Sequence, residues 1–370
     1  MKILVLNWQD IKNPLGGGAE VHLHEIFKRI AARGHSVTLF CSSFPGAPQE
    51  ETIDGLRVIR AGGRNLFNLR VPQYYFSRFH DEQYDVIVDD INKIPFYTPL
   101  YVREPLVGVV HHLFDKSIFL EASLPAALYV YGAERFVPPV YRNIPMAVVS
   151  ESTRSELLQK GFEEQRIAIV PNAVDTSLYR PLEKAEQREP VVGHLGRLKK
   201  YKSVDHLLEA FKIVRMELPE TRLLIVGDGD VEPALRRRAD ELGIADFTVF
   251  AGRVSGEEKV RLLNRMTVAV NCSAKEGWGL TVIEANACGV PAVASDVPGL
   301  RDAVLDEKTG LLYEYGNIEQ LAQKILLMLR DGQLRARLAD EALRWARSFQ
   351  WEESAEKMTA VLEQAVAFKK

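Results

Sequence analysis

The stretch "KILVLNWQDIKNPLGGGAEVHLHEIFKRIAARGHSVTLFCS" (residues 2–42) indicates the fold of this protein. It contains an apolar run (2–8), a glycine-rich turn (14–20), a helical stretch (21–34) and a second apolar run (35–42). Continuous apolar runs without polar alternation are typical of strands that are buried on both faces of a sheet. A strand, a loop, a helix and another strand form a βαβ unit, so we predict parallel strands joined by a right-handed crossover.

The same alternation of strand and helix patterns continues along the chain and starts again after a break. The break, "RPLEKAEQREP" (180–190), is charged, contains prolines and lacks apolar periodicity, as expected of a linker. Strands are predicted before it at 56–61, 84–90, 106–112 and 146–150, and after it at 191–198, 221–229, 247–252, 267–273 and 291–296.

This organisation predicts an α/β protein with two Rossmann-like, doubly wound domains, 1–180 and 181–350, that face a cleft. Ligands of such proteins bind at the carboxyl ends of the strands. The last segment, 351–370, is amphipathic and is predicted to form a helix that caps a domain.

Composition and charge exclude several classes of protein. The 370 residues carry a net charge of −3 at pH 7, which argues against a protein built chiefly to hold nucleic acid. No segment reaches the roughly 20 apolar residues of a membrane-spanning helix, and the N-terminus lacks a signal-peptide pattern. The three cysteines have no metal-binding spacing. These features predict a soluble, cytoplasmic protein.

The glycine-rich turn does not fit a dinucleotide fingerprint. Gly16 and Gly18 match the first two glycines of that motif, but Val21 occupies the place of the third, so NAD binding is not expected. The glycines still allow backbone N–H groups to approach an anion at the start of the following helix. A tight turn without a ligand is the alternative.

Two acidic pairs, Asp89–Asp90 and Asp228–Gly229–Asp230, resemble carboxylate ligands of Mg²⁺. Acidic residues also suit loops that follow buried strands, and no second set of ligands lies nearby in the sequence. We therefore interpret both pairs as loop ends and predict no metal site.

Four cations follow the first predicted strand of the second domain, within "GRLKKYKS": Arg197, Lys199, Lys200 and Lys202. The fork-shaped guanidinium of Arg and the compact ammonium of Lys can together neutralise a diphosphate. A solvated basic loop is the alternative.

His111 and His112 end a predicted apolar strand. Successive side chains of a strand point to opposite faces, so we expect at most one of them to face a ligand. A histidine at the carboxyl end of such a strand is either structural or functional.

The segment "RNLFNLRVPQYYFSRFH" (64–80) interleaves arginines with aromatic residues. This pattern fits an ordinary packed helix with solvated arginines. It also fits an element that docks on a membrane surface or on an acceptor. The sequence leaves both interpretations open.

The stretch "SAKEGWGLTVIEANACGVP" (273–291) carries the strongest functional signal. We predict a loop followed by a helix from about Leu280, whose free N–H groups carry the positive end of the helix dipole. Glu276 in the loop and Glu284 in the helix would then contact different parts of one extended ligand. Two glycines between them allow that ligand to approach the backbone closely.

Together these motifs resemble the retaining glycosyltransferases of family 4, which have the GT-B fold of two Rossmann-like domains. "EGWGLTVIE" is similar to the E-x7-E element of that family, and "GRLKKYKS" is similar to its GR…K-G segment. "VPNAVD" (170–175) is similar to its I-P-N-G-V-D motif, and "GGGAE" to its N-terminal donor loop. The resemblance covers essentially the whole chain.

The resemblance implies an N-terminal acceptor-binding domain, a C-terminal nucleotide-sugar-binding domain and a tail helix that crosses back onto the N-terminal domain. It implies transfer of a hexose-type sugar from a nucleotide-diphosphate sugar, GDP-mannose or a UDP-hexose, with retention and without a metal or other cofactor. The acceptor would be a saccharide or a lipid-linked molecule of cell-surface glycan assembly. A lipid-linked acceptor would bring the protein to the inner face of the membrane.

The resemblance also implies roles for individual residues. Arg197 and Lys202 would grip the diphosphate, Glu284 would hold the ribose hydroxyls, and Glu276 would contact the sugar hydroxyls. The residues implied in catalysis are His111, Glu276, Arg197 and Lys202. The residues implied in donor binding are Gly16, Gly17, Gly18, Arg253, Val254, Gly277, Trp278, Gly279, Leu280, Thr281 and Glu284.

Three positions depart from the family pattern. Ser203 replaces the usual glycine after the lysine, and Ala173 replaces the glycine of P-N-G-V-D. His111–His112 occupies the place of a His-Asp pair, which favours His111 as the active-site histidine, with His112 as the second choice. A GT-B-type sugar-nucleotide epimerase and a non-catalytic nucleotide-sugar-binding protein are the competing interpretations.

Overall fold

The computed structural model describes residues 1–92, 94–182 and 189–368. The chain divides into two compact units, of which the first is Met1–Asn172 with Trp351–Lys370 and the second is Ala173–Gln350. This division lies just before the boundary that the sequence predicts at 180–181. Within the predicted linker and tail, residues 183–188, 369 and 370 lie outside the described residues.

The first unit is built on one sheet. Its strands are β1 (Lys2–Leu6), β2 (Ser36–Cys41), β3 (Glu50–Ile53), β4 (Leu56–Arg60), β5 (Val86–Asp90), β6 (Leu106–Val110), β7 (Met146–Val148) and β8 (Ile167–Ile169). They lie in the order β3-β4-β2-β1-β5-β6-β7-β8, and all neighbours are parallel except β3 and β4. Every residue of β5 and of β6 is buried, which explains the continuous apolar runs in the sequence.

The helices that connect these strands are α1 (Gly18–Ala32), α2 (Phe67–Tyr74), α3 (Leu124–Glu134), α4 (Val137–Tyr141) and α5 (Glu151–Gln159). The predicted βαβ unit is confirmed, because β1 and β2 are parallel neighbours joined by α1. Helix α1 begins at Gly18 rather than at residue 21, since Gly17 is its N-cap and donates its N–H to the Glu20 carboxylate at 2.6 Å.

Two further differences concern the strands of the first unit. The strand predicted over 106–112 ends at Val110, so both histidines lie beyond it. Strands β3 and β8 are absent from the prediction. β3 is a short, acidic edge strand with only one buried residue, and β8 is an edge strand of three partly buried residues.

The second unit has a fully parallel sheet. Its strands are β9 (Val191–Leu195), β10 (Arg222–Val226), β11 (Thr248–Gly252), β12 (Val268–Asn271), β13 (Ala292–Ser295) and β14 (Gly310–Tyr313). They lie in the order β11-β10-β9-β12-β13-β14. Its helices are α6 (Val204–Glu217), α7 (Glu232–Glu241), α8 (Gly256–Asn264), α9 (Leu280–Ala287), α10 (Leu300–Ala303), α11 (Ile318–Arg330) and α12 (Gly332–Arg347). This is the strand order of a Rossmann fold, as predicted.

Strand order determines where each unit can bind a ligand. In a doubly wound sheet, the connections from two neighbouring central strands run to opposite faces of the sheet. The loops at the carboxyl ends of these two strands therefore leave a crevice between them. In the first unit these central strands are β1 and β5, and in the second they are β9 and β12. The loops that follow these four strands carry most of the predicted site residues.

The last helix, α13 (Trp351–Phe368), belongs to the first unit, as the prediction of a tail that crosses back requires. Its buried face includes Trp351, and its Ser354 hydroxyl donates to the Pro171 carbonyl at 2.8 Å. On its exposed side, Glu352 accepts from Arg29 of α1 at 2.7 Å. The apolar face fixes this helix on the unit, since exposed ion pairs stabilise by about 1 kcal/mol or less.

The predicted helix over 64–80 is a broken helical segment with two different faces. It consists of a 3₁₀ turn, helix α2 and a π-helical turn over Tyr75–Phe79. Phe67 and Phe79 are buried against Phe40, as the packed-helix interpretation requires. The other face exposes Leu66, Leu69 and Phe76. Among the described residues, no helix is both long and apolar enough to cross a membrane.

Candidate functional site

The strand ends at the centre of the second unit bring together Lys202, after β9, and Glu276, after β12. The Lys202 ammonium donates to the Oε1 atom of Glu276, and both side chains are largely buried. Ser273 donates its hydroxyl to the same oxygen at 2.8 Å, and the Asn271 amide lies 3.4 Å from it. All these contacts are made to Oε1, and Oε2 carries none of them.

This pair holds both groups in their charged forms. Burial raises the pKa of Glu276, but the Lys202 charge and the hydrogen bonds from Lys202, Ser273 and Asn271 bring it below its ordinary value. Burial lowers the pKa of Lys202, and Glu276 more than compensates, so the lysine pKa is raised. A buried pair of this kind presents a fixed carboxylate and a fixed ammonium to a ligand.

A buried histidine of β9 interacts with the charges of this pair. The Nδ1 atom of His194 lies 3.1 Å from the Val270 carbonyl and is therefore the protonated nitrogen. Burial lowers the pKa of His194 to about 4, so the ring is neutral at pH 7. The sequence gives no signal for this residue, because a histidine inside an apolar strand looks like an ordinary core residue.

The second carboxylate of the E-x7-E element is also paired with a lysine. Glu284 lies in α9 and is buried, and its Oε1 atom accepts from the Lys259 ammonium of α8 at 2.7 Å. The hydroxyl of Tyr179 is hydrogen bonded to Glu284, and the Lys259 nitrogen lies 4.9 Å from the Tyr179 ring centroid. The prediction contained neither Lys259 nor Tyr179, since both are distant from the motif in sequence.

The glycines of the motif allow tight packing around the start of α9, which begins at Leu280 as predicted. Gly279 has a φ of +73°, and a Cβ atom there would lie 2.9 Å from a methyl group of Leu300. Gly299 has a φ of +81°, and a Cβ atom there would lie 2.2 Å from the Glu276 carbonyl oxygen. Both positions therefore require glycine to keep the loop of Glu276 in place.

Trp278 lies between the two glycines of the motif, but its side chain is part of the packing. Its indole is 4% exposed and makes an edge contact with Phe349, with ring centroids 4.8 Å apart. Only the backbone of this residue is therefore suited to contact a donor. Thr281 follows in the first turn of α9, where helical N–H groups have no partner within the helix.

The basic loop after β9 contains the exposed Arg197, whose Nη2 atom lies 3.4 Å from the Tyr201 hydroxyl. Lys199 pairs with Asp230 at 3.1 Å. Gly229 lies against the same loop, because a Cβ atom there would come within 2.0 Å of the Leu198 carbonyl oxygen. The absence of a side chain at Gly229, in the "GDG" stretch 227–229, thus allows close packing against the loop that carries Arg197.

The remaining predicted positions of the second unit follow β11 and β9. Arg253 and Val254 lie in the loop between β11 and α8, and Arg253 is exposed. Ser203 has a φ of +48°, which explains why glycine is usual there, and its hydroxyl lies 2.9 Å from the Tyr315 hydroxyl. Ser203, which departs from the family pattern, therefore adopts the left-handed backbone conformation although it is not glycine.

In the first unit, the strand ends bring together Asp90 of β5 and His111, which follows the neighbouring strand β6. The Nε2 atom of His111 lies 3.2 Å from Oδ2 of Asp90, and both side chains are buried. His22 of α1 contacts His111 edge-on, with ring centroids 5.0 Å apart. Glu20 is buried in the first turn of α1 and interacts electrostatically with both Asp90 and His111.

The two histidines of this cluster have opposite protonation behaviour. Burial lowers the pKa of His111, but Asp90 and Glu20 raise it above its ordinary value. Burial lowers the pKa of His22 to about 3, so His22 is neutral and donates through Nε2 to the Val170 carbonyl at 2.9 Å. Because the pKa of His111 is raised by folding, its pairing stabilises the unit fully below about pH 6.5. This contribution is lost as the pH rises through the folded-state value.

The alternatives at these strand ends have different surroundings. His112 is partly exposed and its ring lies 4.5 Å from that of Phe114, and the buried His111 pairs with the Asp90 carboxylate. Asp89 accepts from the hydroxyls of Tyr141 at 2.6 Å and Thr98 at 2.7 Å, and therefore does not face the same partner as Asp90. In the described parts of the chain, no group of three or more histidine, cysteine or acidic residues is arranged to hold a metal ion.

The glycine loop that contains Gly16, Gly17 and Gly18 rests on a buried ion pair. Asp10 accepts from the Nε atom of Arg60 at 2.7 Å, and neither side chain is exposed to solvent. A Cβ atom on Gly16 would lie 3.1 Å from the Asn13 carbonyl oxygen, so the loop folds closely on itself. Gly18 is the first residue of α1, so this glycine lies within the helix rather than before it.

The two halves of the chain match two family models. Residues 16–178 match the model described as Glycosyltransferase Family 4, and residues 176–345 match the model described as Glycosyl transferases group 1. A D-inositol 3-phosphate glycosyltransferase of Mycobacteroides abscessus is 30% identical over 387 aligned residues, which cover 95% of this chain and 85% of that protein. A GDP-mannose-dependent alpha-(1-6)-phosphatidylinositol monomannoside mannosyltransferase of Mycolicibacterium smegmatis is 31% identical over 55% of this chain and 58% of that protein.

Solved structures share the fold at lower sequence identity. The sucrose-phosphate synthase of Thermosynechococcus elongatus has a TM-score of 0.83 at 22% identity and covers 99% of this chain and 100% of its own. WaaG, a glycosyltransferase involved in lipopolysaccharide biosynthesis, has a TM-score of 0.78 at 19% identity, over 97% of this chain and 99% of its own. Together with the strand orders described above, these matches show that this chain is a two-domain α/β protein of GT-B type and belongs to the family 4 glycosyltransferases.

Proposed function

We propose that this glycosyltransferase moves a hexose from a nucleotide-diphosphate sugar to a saccharide or lipid-linked acceptor, with retention of configuration and without a metal. One observation carries the proposal: each carboxylate of the E-x7-E element, Glu276 and Glu284, is held by its own lysine at a Rossmann crevice. Two fixed carboxylates beside basic groups suit a ligand that combines hydroxyls with a diphosphate.

The donor would be bound mainly by the second unit. Arg197 and Lys202 would stabilise the charge that develops on the leaving diphosphate, which is the largest single contribution expected from such a site. The backbone of Gly277 to Thr281 would contact sugar and phosphate at the start of α9, where the helix dipole favours an anion. Arg253 and Val254 would lie by the base.

The contacts of Glu276 support a positioning role rather than attack on the sugar. A carboxylate whose Oε1 atom receives Lys202, Ser273 and Asn271 is a weak nucleophile, and its pKa is lowered. We therefore propose that Oε2 accepts hydrogen bonds from sugar hydroxyls. The acceptor would attack the face of the sugar that the diphosphate leaves, which gives retention.

In the first unit, His111 is the proposed active-site histidine. Asp90 holds its Nε2 atom and favours the imidazolium form, so the ring can donate a hydrogen bond to a sugar or phosphate oxygen. Gly16, Gly17 and Gly18 would approach the diphosphate through their backbone. The second choice is His112, whose ring lies 4.5 Å from that of Phe114.

A donor panel tests the proposal. The protein is incubated with GDP-mannose, UDP-glucose, UDP-galactose and UDP-N-acetylglucosamine, with saccharide acceptors, and release of nucleoside diphosphate is measured with and without a chelator. We expect one donor to be favoured, no effect of the chelator and an α-linked product in an anomer-resolved NMR assay. The name of one relative, a GDP-mannose-dependent mannosyltransferase, supports testing GDP-mannose first.

The same assay separates the competing functions, with Glu276→Gln as a control that should lose release. An epimerase would convert the donor in the absence of any acceptor. A non-catalytic binding protein would bind the donor without release of nucleoside diphosphate. An inverted product, or a requirement for added metal, would contradict the mechanism proposed here.

An exposed apolar patch on the first unit supports a lipid-linked acceptor. The patch consists of Leu66, Leu69, Phe76, Leu100, Leu124, Leu128, Tyr129 and Phe136, each at least 55% exposed. Helices α2 and α3 approach each other at this patch, where the Asn68 amide donates to the Tyr129 hydroxyl at 3.0 Å. Residues 122–133 contain no charged side chain, although α3 is only partly buried.

The charges around this patch favour an anionic membrane surface as its partner. Arg64, Arg70, Arg103 and Arg135 are exposed, and each lies within three positions of a patch residue in the chain. Exposed apolar side chains bordered by arginines match the composition of surfaces that insert shallowly into anionic lipid. We therefore propose that the protein works at the cytoplasmic face of a membrane, where a lipid-linked acceptor would be presented.

A vesicle assay tests this surface. We expect the protein to co-sediment with vesicles of equal parts phosphatidylcholine and phosphatidylglycerol. The double variant Leu69→Asp/Leu128→Asp should lower binding about tenfold or more, because two charges replace inserted side chains. Met216→Asp is the matched control, since Met216 is 78% exposed on the second unit. Equal binding of the double variant and the control would contradict this surface, as would equal binding to neutral vesicles.

A further inference from the structure

Glu284 has two protein partners that the E-x7-E motif does not contain. Lys259 of α8 donates to Oε1 at 2.7 Å, and the Tyr179 hydroxyl is hydrogen bonded to the same carboxylate. The Glu284 side chain is 9% exposed and that of Lys259 is 24% exposed, so the pair lies at the edge of solvent. Such a position allows a ligand to reach a carboxylate that is already oriented.

Tyr179 fixes the lysine as well as the carboxylate. Its ring centroid lies 4.9 Å from the Lys259 nitrogen, within the range of a cation–π contact. Tyr179 itself is 8% exposed, so its position is determined by packing. Burial and the nearby Glu284 raise the pKa of the Tyr179 hydroxyl, which therefore remains a donor at all ordinary pH values. The Glu284 carboxylate thus accepts from two donors, the Lys259 ammonium and the Tyr179 hydroxyl.

The hydrogen-bonding capacity of the carboxylate determines what else it can hold. An ionised carboxylate offers about four acceptor positions on its two oxygens. Lys259 and Tyr179 occupy two, which leaves room for two more donors. The vicinal 2′- and 3′-hydroxyls of a ribose supply two donors at neighbouring positions, and a 2′-deoxyribose supplies only one.

We propose that Lys259 and Tyr179 are positioning residues that hold Glu284 as an oriented acceptor for a ribose diol, so that this unit selects ribonucleotides over 2′-deoxyribonucleotides. The proposal rests on the proposed function, in which Glu284 contacts the ribose of the donor. Without Lys259, the carboxylate would lose its main fixed charge partner and would be free to rotate. It would then accept less strongly from both hydroxyls.

Binding measurements with defined nucleotides test this proposal. The dissociation constants of GDP, UDP and their 2′-deoxy analogues are measured by calorimetry for the wild type, Lys259→Met, Tyr179→Phe and Lys212→Met. Lys212 is an exposed lysine of α6 and provides the matched control. We expect the wild type and Lys212→Met to prefer the ribonucleotide about tenfold or more, as for lost hydrogen bonds to a charged group.

Lys259→Met should reduce this preference to about threefold or less, with Tyr179→Phe in between and Lys259→Arg close to the wild type. In the transfer assay, Lys259→Met should raise the KM for the donor about tenfold and leave kcat within about twofold, since the residue acts through substrate binding. A general structural defect would instead lower kcat and the melting temperature.

The outcomes separate the two proposals. If the wild type binds neither nucleoside diphosphate, the proposed function itself is wrong. If the wild type prefers ribonucleotides and Lys259→Met keeps the same preference, the proposed function stands and the positioning role of Lys259 is refuted. If the wild type binds the ribonucleotides and their 2′-deoxy analogues equally, Glu284 does not recognise the diol. The inference is then refuted as well.

Discussion

Glu276→Gln is expected to lower the rate of sugar transfer by about a hundredfold or more and to destabilise the second unit by about 3 kcal/mol. The substitution removes the charge partner of the Lys202 ammonium, which stays largely buried. It also replaces the charged oxygen that Ser273 and Asn271 share by the oxygen of a neutral amide, which accepts hydrogen bonds less strongly. The rate is measured as nucleoside diphosphate release, and stability is measured by denaturant unfolding with hydrogen exchange to assign the change to this unit.

A double variant separates the two effects. Lys202→Met/Glu276→Gln removes both charges, so it should recover most of the lost stability, because a buried ion pair is often replaceable by uncharged groups of similar size. It should not recover transfer, since both groups are proposed to contact the donor. Glu257→Gln, at an exposed position of α8, is the control and should change neither quantity. Recovery of transfer in the double variant would contradict the roles proposed for this pair.

Asp10→Asn is expected to destabilise the first unit by about 3 kcal/mol at pH 7, because it leaves the Arg60 guanidinium buried with a weakened partner. Asp10 and Arg60 are completely buried, 2.7 Å apart, and Arg60 also pairs with Glu51 at 2.7 Å. The loss should appear in hydrogen exchange of the loop over 9–17 and of β1, β2 and β4. Asp81→Asn, at an exposed position, is the control.

The pH dependence of this effect has a definite sign. Burial raises the pKa of Asp10, but the hydrogen bonds from Arg60 and the Lys12 N–H and the charge of Arg60 bring it below its ordinary value. A lowered folded-state pKa stabilises the protein above the unfolded value of about 3.9 and loses that contribution as the pH falls further. The difference between wild type and Asp10→Asn should therefore be constant near neutral pH and shrink below about pH 4. A difference that grows on acidification would contradict the assignment.

Much of the fold was predictable from residues that act locally. The apolar runs that became β1, β5, β6 and β9, and the helix that starts at Leu280, follow directly from periodicity and glycine placement. Three edge strands, β3, β8 and β14, are absent from the prediction: β3 is acidic, and β8 and β14 have only three and four residues. The start of α1 at Gly18 depended on capping of Gly17 by Glu20, a contact between side chain and backbone.

The candidate site was predictable in its motif and not in its contacts. The E-x7-E spacing identified Glu276 and Glu284, and the basic loop identified Lys202. The interpretation of Lys202 as purely a diphosphate ligand left out its pairing with Glu276, which lies 74 positions away in the chain. The backbone amide of Trp278 is predicted to contact the donor, and the structure adds that its indole packs on Phe349, since large aromatic side chains are strongly stabilised by burial.

By itself, the sequence determined the family, the alternation of strands and helices and the identity of the conspicuous charged residues, because these depend on local patterns. The tertiary structure decided which charges meet. Lys259 reaches Glu284 and Asp90 reaches His111 only because parallel strands and their crossovers bring distant loops to one edge of a sheet. The partner of a buried charge is set by that three-dimensional neighbourhood, since burial makes an unpaired charge costly and no local pattern in the chain records which partner is near.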